Sequence, residues 1–276
     1  MPELPEVEII RRQLEKVLVG QRIKKIKVLK KKSLQGDSLQ VEGKRIVRVR
    51  RKAKVLIVEL EGGKYLLIHL KMTGQLIYYD EKSQISNSKK QTKHTRVVFE
   101  LDRGKLFFND MRVFGWIKVV DDGGMKKEFS KFGPDVVDKE FSVEYLEKVL
   151  KSSGRAVKLI LMNQKKIGGI GNIYANDGLY CAGIDPRKKA REIGEDRKLV
   201  KKLQRCLKKV IEAGIKYGGA TASDDKYINA QGLRGKYQEH FLVYEKAGEK
   251  CSKCKGKIRK IKLGGRGTYF CQICQK

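Results

Sequence analysis

An amphipathic helix is predicted at the start of the chain. Apolar side chains recur there at steps of three and four, which places them on one helical face. They are Leu4, Val7, Ile10, Leu14, Val17 and Leu18. Pro5 suits the first turn of such a helix and Gly20 suits its end. The pattern therefore predicts a helix over residues 4–19.

From about residue 22 to residue 119 the pattern changes to short β-rich runs, separated by glycines and charged turns. The clearest runs are 55–58, 65–68, 97–99 and 105–108. Many short strands in succession predict a β-sandwich or barrel.

Helical patterns dominate the second half, near 142–151, 155–163, 172–182 and 194–216. Residues 218–240 are polar and aperiodic, and such a long connection indicates a functional loop. The predicted fold class is therefore α+β multidomain. We expect a catalytic β-sandwich domain (1–120), a linker (121–140), a helical domain that includes the loop (141–240) and a terminal hairpin (241–276).

Two C-x2-C pairs near the end predict a metal site. They are Cys251 with Cys254 and Cys271 with Cys274, a spacing typical of zinc bound by four thiolates. A pair of disulfides is the alternative. Four thiolates fill the coordination shell, so the cofactor would be one structural Zn²⁺ without a catalytic water.

The stretch between the cysteine pairs alternates in polarity and then becomes glycine-rich, which predicts a β-hairpin. Its turn would carry Arg266, a side chain suited to a phosphate. Cys181 and Cys206 lack ligand spacing, and we expect them to pack within helices.

The chain is strongly basic, with 63 Lys and Arg against 32 Asp and Glu and a formal net charge of +31. Such a field favours nucleic acid as the partner, although a general lysine bias would produce the same excess. Roughly 18 consecutive apolar residues are needed to span a bilayer, and no run approaches that length. Together with the absence of a secretory signal, this predicts a cytoplasmic protein that associates with the nucleoid when bound to DNA.

Six motifs occur in order along the chain. They are residues 1–8 (MPELPEVE), 51–54 (RKAK), 69–74 (HLKMTG), 110–115 (DMRVFG), 171–175 (GNIYA) and the four cysteines. In combination they resemble the formamidopyrimidine-DNA glycosylase family, bacterial enzymes that remove oxidised purines from DNA and nick the resulting abasic site. The resemblance covers the whole chain and implies a helix–two-turns–helix motif in the helical domain.

The resemblance implies a catalytic group at the N-terminus. Pro2 would be the nucleophile once Met1 is removed, because an α-amine has an unperturbed pKa of about 7.7–8.0 and is partly neutral near pH 7. Glu3 would shuttle protons and Glu6 would help to position it. Lys54 would contact DNA phosphate and assist catalysis. Taken alone, Pro2 would be a frayed end and Lys54 a solvated strand residue.

The resemblance also implies how DNA is held. A side-chain triad would fill the gap left by the extruded nucleoside, and other residues would grip phosphates or lie near the lesion. The triad is Met72, Arg112 and Phe114; the phosphate contacts are His69, Asn172 and Arg266; Lys158 lies near the lesion pocket; Tyr237, with Thr221 and Ser223, belongs to a loop that covers the lesion. By spacing alone, Met72 and Phe114 would be core and Arg112 surface charge.

Some positions depart from the family pattern. Lys71 stands where relatives usually have glycine, and Val113 replaces a common basic residue. Asn163 replaces a frequent aspartate, and the pair 176–177 (ND) stands where a pair containing glutamate is usual.

The predicted function is base excision repair by a monomeric bifunctional enzyme. It would excise 8-oxoguanine and formamidopyrimidines from duplex DNA through a Pro2 iminium and then cleave the strand by β,δ-elimination. Two alternatives remain at this point: an endonuclease VIII-like glycosylase for oxidised pyrimidines, and a non-catalytic zinc-ribbon protein that binds nucleic acid.

Overall fold

The structure is a computed structural model that describes residues 1–80, 91–221 and 227–276. The chain divides into two compact units, residues 1–131 with 217–238 and residues 132–216 with 239–276. The four-part division predicted from sequence stays a prediction, and Ser223 lies outside the described residues. Within the described ranges, no helix combines the length and apolar character that crossing a membrane requires.

Helix α1 (Leu4–Leu18) opens the first unit, one residue shorter than predicted. The predicted apolar face is buried apart from the partly buried Val17, and it packs against the strands that follow. The chain leaves the helix through Gly20, whose φ of 88° lies in the left-handed region that glycine adopts readily.

Two β-sheets enclose the core of the first unit, which confirms the predicted sandwich. One has the order β1-β7-β8-β6 and the other β2-β9-β5-β4-β3; among the strand pairs of the described residues, only β2–β9 is parallel. The strands are β1 (Ile23–Val28), β2 (Leu34–Gln35), β3 (Ile46–Lys52), β4 (Val55–Leu60), β5 (Lys64–His69), β6 (Gly74–Tyr79), β7 (Thr95–Leu101), β8 (Lys105–Asp110) and β9 (Trp116–Asp121).

Part of the predicted linker is helical. Helix α2 spans Asp122–Phe129 despite two glycines in its first turn. The Asp121 carboxylate accepts a hydrogen bond from the Gly124 N–H at 2.9 Å, and this N-terminal cap supports the helix. Glycine-rich composition alone could not reveal that stabilisation.

The second unit contains five helices and the hairpin. They are α3 (Val143–Lys151), α4 (Val157–Leu161), α5 (Asn172–Ala182), α6 (Ala190–Gly194), α7 (Arg197–Lys216), β10 (Ile258–Leu263) and β11 (Arg266–Cys271). Helix α5 has the predicted bounds and is almost entirely buried. Helices α5 and α7 pack closely together: a Cβ added at Gly178 of α5 would lie only 2.6 Å from Cδ2 of Leu207 in α7.

Cys181 and Cys206 do lie in helices α5 and α7, but they form a disulfide, with their Cα atoms 5.7 Å apart. The prediction of two merely packed thiols is therefore wrong. Sequence spacing gave no sign of the pairing, because the two residues meet only once the helices pack.

We predict that this disulfide stabilises the second unit. It closes a loop with a sequence separation of 25 residues, for which loop-closure entropy gives about 3.5 kcal/mol. The double variant Cys181→Ala/Cys206→Ala should lower the thermal midpoint of this unit, and reduced wild type should melt at the temperature of the variant. Detection of two free thiols at these positions in unreduced, denatured protein would contradict the prediction.

Candidate active site and nucleic-acid interface

The N-terminal residues assigned to catalysis are buried at the start of α1. Pro2 is buried, and Glu3, the residue that precedes the helix, is only 2% exposed. The Glu3 N–H donates to Glu6 Oε2 at 2.8 Å, one leg of a capping box. The chain therefore does not fray here, and the residue that follows Met1 has a defined position.

Glu6 connects α1 to residues 217–238 of the same unit. Its second carboxylate oxygen, Oε1, accepts a hydrogen bond from the Ala220 N–H at 2.8 Å. The side chain is buried, and a Cβ added at the neighbouring Gly219 would lie 3.0 Å from Glu6 Cγ. Because both of its oxygens accept backbone N–H groups, Glu6 is suited to positioning the segment around it.

Two residues that the sequence reasoning did not assign connect α1 to the turn that carries Lys54. Arg51 donates to Glu8 Oε2 at 3.1 Å and to the Ala53 carbonyl at 2.8 Å. Burial alone would raise the pKa of the Glu8 carboxyl, but hydrogen bonds from Arg11 and Arg12 and the charge of Arg51 hold it below its ordinary value. The ion pair fixes a turn in which Ala53 has a φ of 50°.

Lys54 is buried immediately before β4, and His69 ends the neighbouring strand β5. Burial, and then the nearby charges of Lys71 and Lys54, lower the pKa of His69 to about 3. The imidazole is therefore neutral near pH 7. Its Nδ1 accepts the Lys71 N–H at 3.0 Å, so the ring proton lies on Nε2, where it can be donated to an anion.

The side-chain triad of Met72, Arg112 and Phe114, called the wedge from here on, lies on two neighbouring turns. Met72 follows β5 and is half-buried, whereas Arg112 and Phe114 follow β8 and are exposed, Phe114 to 49%. The Arg112 guanidinium carbon lies 4.8 Å above the centre of the Phe114 ring, a cation–π contact. An exposed aromatic ring and a half-buried thioether can enter a base stack, and an arginine can hydrogen-bond a base.

In the second unit, Asn172 and Arg266 lie on segments joined by a hydrogen bond. Asn172 begins α5, and its side-chain amide donates to the Gly267 carbonyl at 3.2 Å. Arg266 is exposed and begins β11, directly after the turn formed by Gly264 and Gly265. Those glycines have φ values of 56° and 77°, which a tight two-residue hairpin turn requires.

Lys158 and Tyr237 are almost completely buried. Lys158 is 0% exposed, and its ammonium donates to the Gly267 carbonyl at 2.9 Å and to Thr268 Oγ1 at 2.7 Å. Tyr237 is 1% exposed. These hydrogen bonds give Lys158 a role in holding the hairpin. Contact of Lys158 and Tyr237 with the lesion or the DNA stays a prediction.

The two unusual residues of α5 have structural roles. Asn176 accepts the Tyr269 N–H from β11 at 2.8 Å. Asp177 is fully buried and accepts three successive backbone N–H groups. The donors are Leu242 at 3.1 Å, Val243 at 3.0 Å and Tyr244 at 3.1 Å.

The four cysteines converge. All four sulfur atoms lie within 4.8 Å of one another, with 3.7 Å between Cys251 and Cys274 and 3.6 Å between Cys254 and Cys271. Zn–S bonds of about 2.3 Å in a tetrahedron require sulfur separations of about 3.8 Å. The cluster is therefore compatible with one structural zinc ion, as predicted.

The first unit is a β-sandwich that begins with helix α1, and the second places α5 directly after residues 168–171 (GGIG) and ends in a four-cysteine hairpin. The chain is therefore a multidomain protein with a zinc-finger module. Three family models match the chain: "Formamidopyrimidine-DNA glycosylase N-terminal domain" over residues 1–117, "Formamidopyrimidine-DNA glycosylase H2TH domain" over 132–226 and "Zinc finger found in FPG and IleRS" over 248–276. The chain belongs to the formamidopyrimidine-DNA glycosylase family, enzymes with glycosylase and AP lyase activity.

Named relatives agree with this assignment. The chain is 36% identical to the formamidopyrimidine-DNA glycosylase of Carboxydothermus hydrogenoformans, with 100% of each chain covered. It is similar to a Lactococcus lactis variant bound to Fapy-dG-containing DNA, with a TM-score of 0.89, 32% identity and full coverage of both chains. The wild-type L. lactis protein bound to DNA with an oxidised pyrimidine gives a TM-score of 0.88, again at 32% identity with full coverage of both chains.

We predict a pH dependence of stability caused by His69. Above pH 6.5 the ring is neutral in both the folded and unfolded states; as the pH falls toward 3, only the unfolded state binds the proton. The free energy of unfolding should then fall by about 1.4 kcal/mol per pH unit from this group. His69→Gln should abolish that component between pH 6.5 and 5, as measured by urea unfolding. The exposed His240→Gln is the control; equal profiles for both variants would refute the prediction.

We also predict that the metal supports the hairpin. Removal of zinc with a thiol-reactive mercurial should release one zinc ion per chain and abolish amide-exchange protection across β10 and β11, because the four thiolates would lose their shared ligand. Protection in β4 and β5 of the first unit should persist. A zinc content well below one in freshly purified protein, with a protected hairpin, would exclude this role.

Proposed function

We propose that the chain excises oxidised purines from duplex DNA and cleaves the strand, with the secondary amine of Pro2 as nucleophile after removal of Met1. The observation that carries the proposal is the ordered N-terminus. Pro2 and Glu3 are buried at the start of α1, and Glu6 holds the Glu3 N–H at 2.8 Å. A nucleophile must be held in one position to attack one carbon atom.

The chemistry follows from the amine. The Pro2 nitrogen attacks C1′, and the bond to the damaged base breaks as the base leaves with the bonding electron pair and takes up a proton. The attacking nitrogen loses its one N–H proton, and the C1′–O4′ bond then breaks as O4′ takes up a proton and the sugar ring opens. The resulting iminium has no N–H left to lose and therefore stays cationic. The iminium withdraws electrons and acidifies the C2′ proton. Loss of that proton expels the 3′ phosphate, and a second elimination expels the 5′ phosphate.

Residues of the chain have distinct parts in these steps. Glu3 is adjacent to the nucleophile and moves protons during ring opening and elimination. Lys54 and the Nε2–H of His69 lie at the same end of the adjacent antiparallel strands β4 and β5, where a cation and a neutral donor can hold a backbone phosphate. In the second unit, Asn172 and the exposed Arg266 supply further phosphate contacts.

Extrusion of the lesion requires something to replace it. We assign this to Met72 and Phe114, which enter the base stack, and to Arg112, which hydrogen-bonds the orphaned partner base. The cation–π contact between Arg112 and Phe114 supports their joint placement. We further infer a monomeric protein of the cytoplasm that acts on nucleoid DNA.

Borohydride trapping tests the nucleophile. Reduction of the iminium gives a stable protein–DNA adduct, so processed wild type should be trapped on abasic DNA and Pro2→Gly should be trapped much less efficiently. Protein that retains Met1, identified by mass spectrometry, should not be trapped. The buried core variant Ile10→Val is a control for general destabilisation. Absence of an adduct from processed wild type would favour a non-catalytic nucleic-acid-binding protein.

A lesion panel tests the substrate class. We expect faster single-turnover release of 8-oxoguanine opposite cytosine than of oxidised pyrimidines. The L. lactis relative was crystallised with DNA that contains an oxidised pyrimidine, which makes pyrimidines the necessary comparison. Faster release of oxidised pyrimidines would reverse the substrate assignment while leaving the nucleophile assignment intact.

A further inference from the structure

We infer that Thr73 and Asp110 are positioning residues that lock together the two turns bearing Met72, Arg112 and Phe114. The inference rests on the proposed function insofar as those three residues form the wedge. Neither Thr73 nor Asp110 was identified from the sequence as a site residue. Both are buried, and Asp110 is 0% exposed.

The Asp110 carboxylate is the centre of the contact. Its Oδ1 accepts a hydrogen bond from the Thr73 hydroxyl, which belongs to the first turn. The same oxygen accepts the Arg112 N–H at 3.2 Å, and Oδ2 accepts the Gly115 N–H at 2.7 Å, both from the second turn. One buried carboxylate therefore binds both turns.

Thr73 makes the link reciprocal. While its hydroxyl donates to Asp110, its oxygen accepts the Arg112 N–H at 3.0 Å. The backbone of a proposed wedge residue on one turn is thus bonded to the side chain that directly follows Met72 on the other. If either turn moves, at least one buried polar group loses its hydrogen-bond partner, which destabilises the displaced arrangement.

Each turn contains a non-glycine residue in the left-handed region. Lys71, just before Met72, has a φ of 51°, and Val113, between Arg112 and Phe114, has a φ of 54°. This conformation is unfavourable for any side chain and most unfavourable for a β-branched one. Both turns therefore need external contacts to persist, and the Thr73–Asp110 pair supplies them.

The exits of both turns are restricted to glycine by close approach. A Cβ added at Gly74 would lie 2.4 Å from the Leu70 carbonyl oxygen, and one added at Gly115 would lie 2.8 Å from Phe108 Cζ and 3.0 Å from Asp110 Oδ2. The first turn is also closed by the Gly74 N–H, which donates to the Leu70 carbonyl at 2.8 Å. The packing around the Asp110 carboxylate thus leaves little room for the backbone of either turn to adopt another conformation.

The same sheet provides a matched control. Thr95 is 4% exposed and Thr73 5%. The Thr95 hydroxyl donates to Asn109 Oδ1 at 2.7 Å and accepts the Thr92 N–H at 2.9 Å, so it too bonds one side chain and one N–H. Its partners do not lie on the wedge turns. Thr95→Val therefore removes an equivalent buried hydroxyl at a position that does not hold the wedge.

The test compares Thr73→Val with Thr95→Val on two substrates. On 8-oxoguanine opposite cytosine in duplex DNA, Thr73→Val should lower the single-turnover excision rate at least tenfold relative to Thr95→Val. On an abasic site in single-stranded DNA, where no partner base is left behind, borohydride trapping should stay within about threefold of wild type for both. Met72→Ala and Phe114→Ala show how far the excision rate on duplex DNA falls when the wedge itself is removed.

A structural measurement accompanies the kinetics. Thr73→Val should accelerate amide hydrogen exchange at Arg112 and Gly115, whereas Thr95→Val should not. Equal duplex rates for the two variants, or unchanged exchange at Arg112, would overturn the inference. If the wedge variants show no duplex-specific loss, the wedge assignment fails and the functional part of the inference fails with it. If wild type neither excises nor traps, the proposed function has failed, and amide exchange alone decides whether the pair orders the turns.

Discussion

Buried carboxylates that accept backbone N–H groups hold the segments on which the candidate site depends. Glu6 binds the N-terminus of α1 to residues 217–238, Asp110 binds two turns of the first unit, and Asp177 binds the segment after residue 241 in the second. Taking a carboxylate out of water costs several kcal/mol unless its oxygens find donors. Each hydrogen bond to a charged group offsets about 1.5–3 kcal/mol of this cost. Each carboxylate is therefore stable in its buried position only while the backbone segment that donates to it stays in place.

This arrangement separates the residues that set geometry from those that would meet DNA. Glu6 and Asp110 are buried and bonded to backbone, whereas Phe114 and Arg266 are exposed. A reacting sugar requires a fixed attack distance, so rigid supports beneath a few exposed groups serve it better than many mobile charges. Lys158 belongs to the residues that set geometry, because it holds the hairpin that carries the exposed Arg266.

The features predictable from sequence were the local ones. Apolar periodicity located α1 and α5 to within a residue, and the spacing of the four cysteines predicted a cluster that the structure contains. The Cys181–Cys206 disulfide and the burial of Lys158 were not predictable, because each depends on residues 25 to 110 positions away. Thr73 lay inside a recognised motif, but no pattern distinguishes a threonine that bonds a distant carboxylate from one that faces solvent.

In a chain with a net charge of +31, the neutral ring of His69 differs in kind from the many surrounding cations. A field of that size attracts phosphates to the whole surface, so one more cation adds little to discrimination between positions on DNA. A neutral imidazole differs, because its single Nε2–H is directional and its orientation is fixed by the Lys71 N–H bonded to Nδ1. Burial and the charges of Lys71 and Lys54 keep the ring neutral, so the surrounding basic residues themselves maintain the directional donor. If His69 holds a phosphate as proposed, non-specific attraction and specific placement are supplied by different chemical groups within the same short stretch of chain.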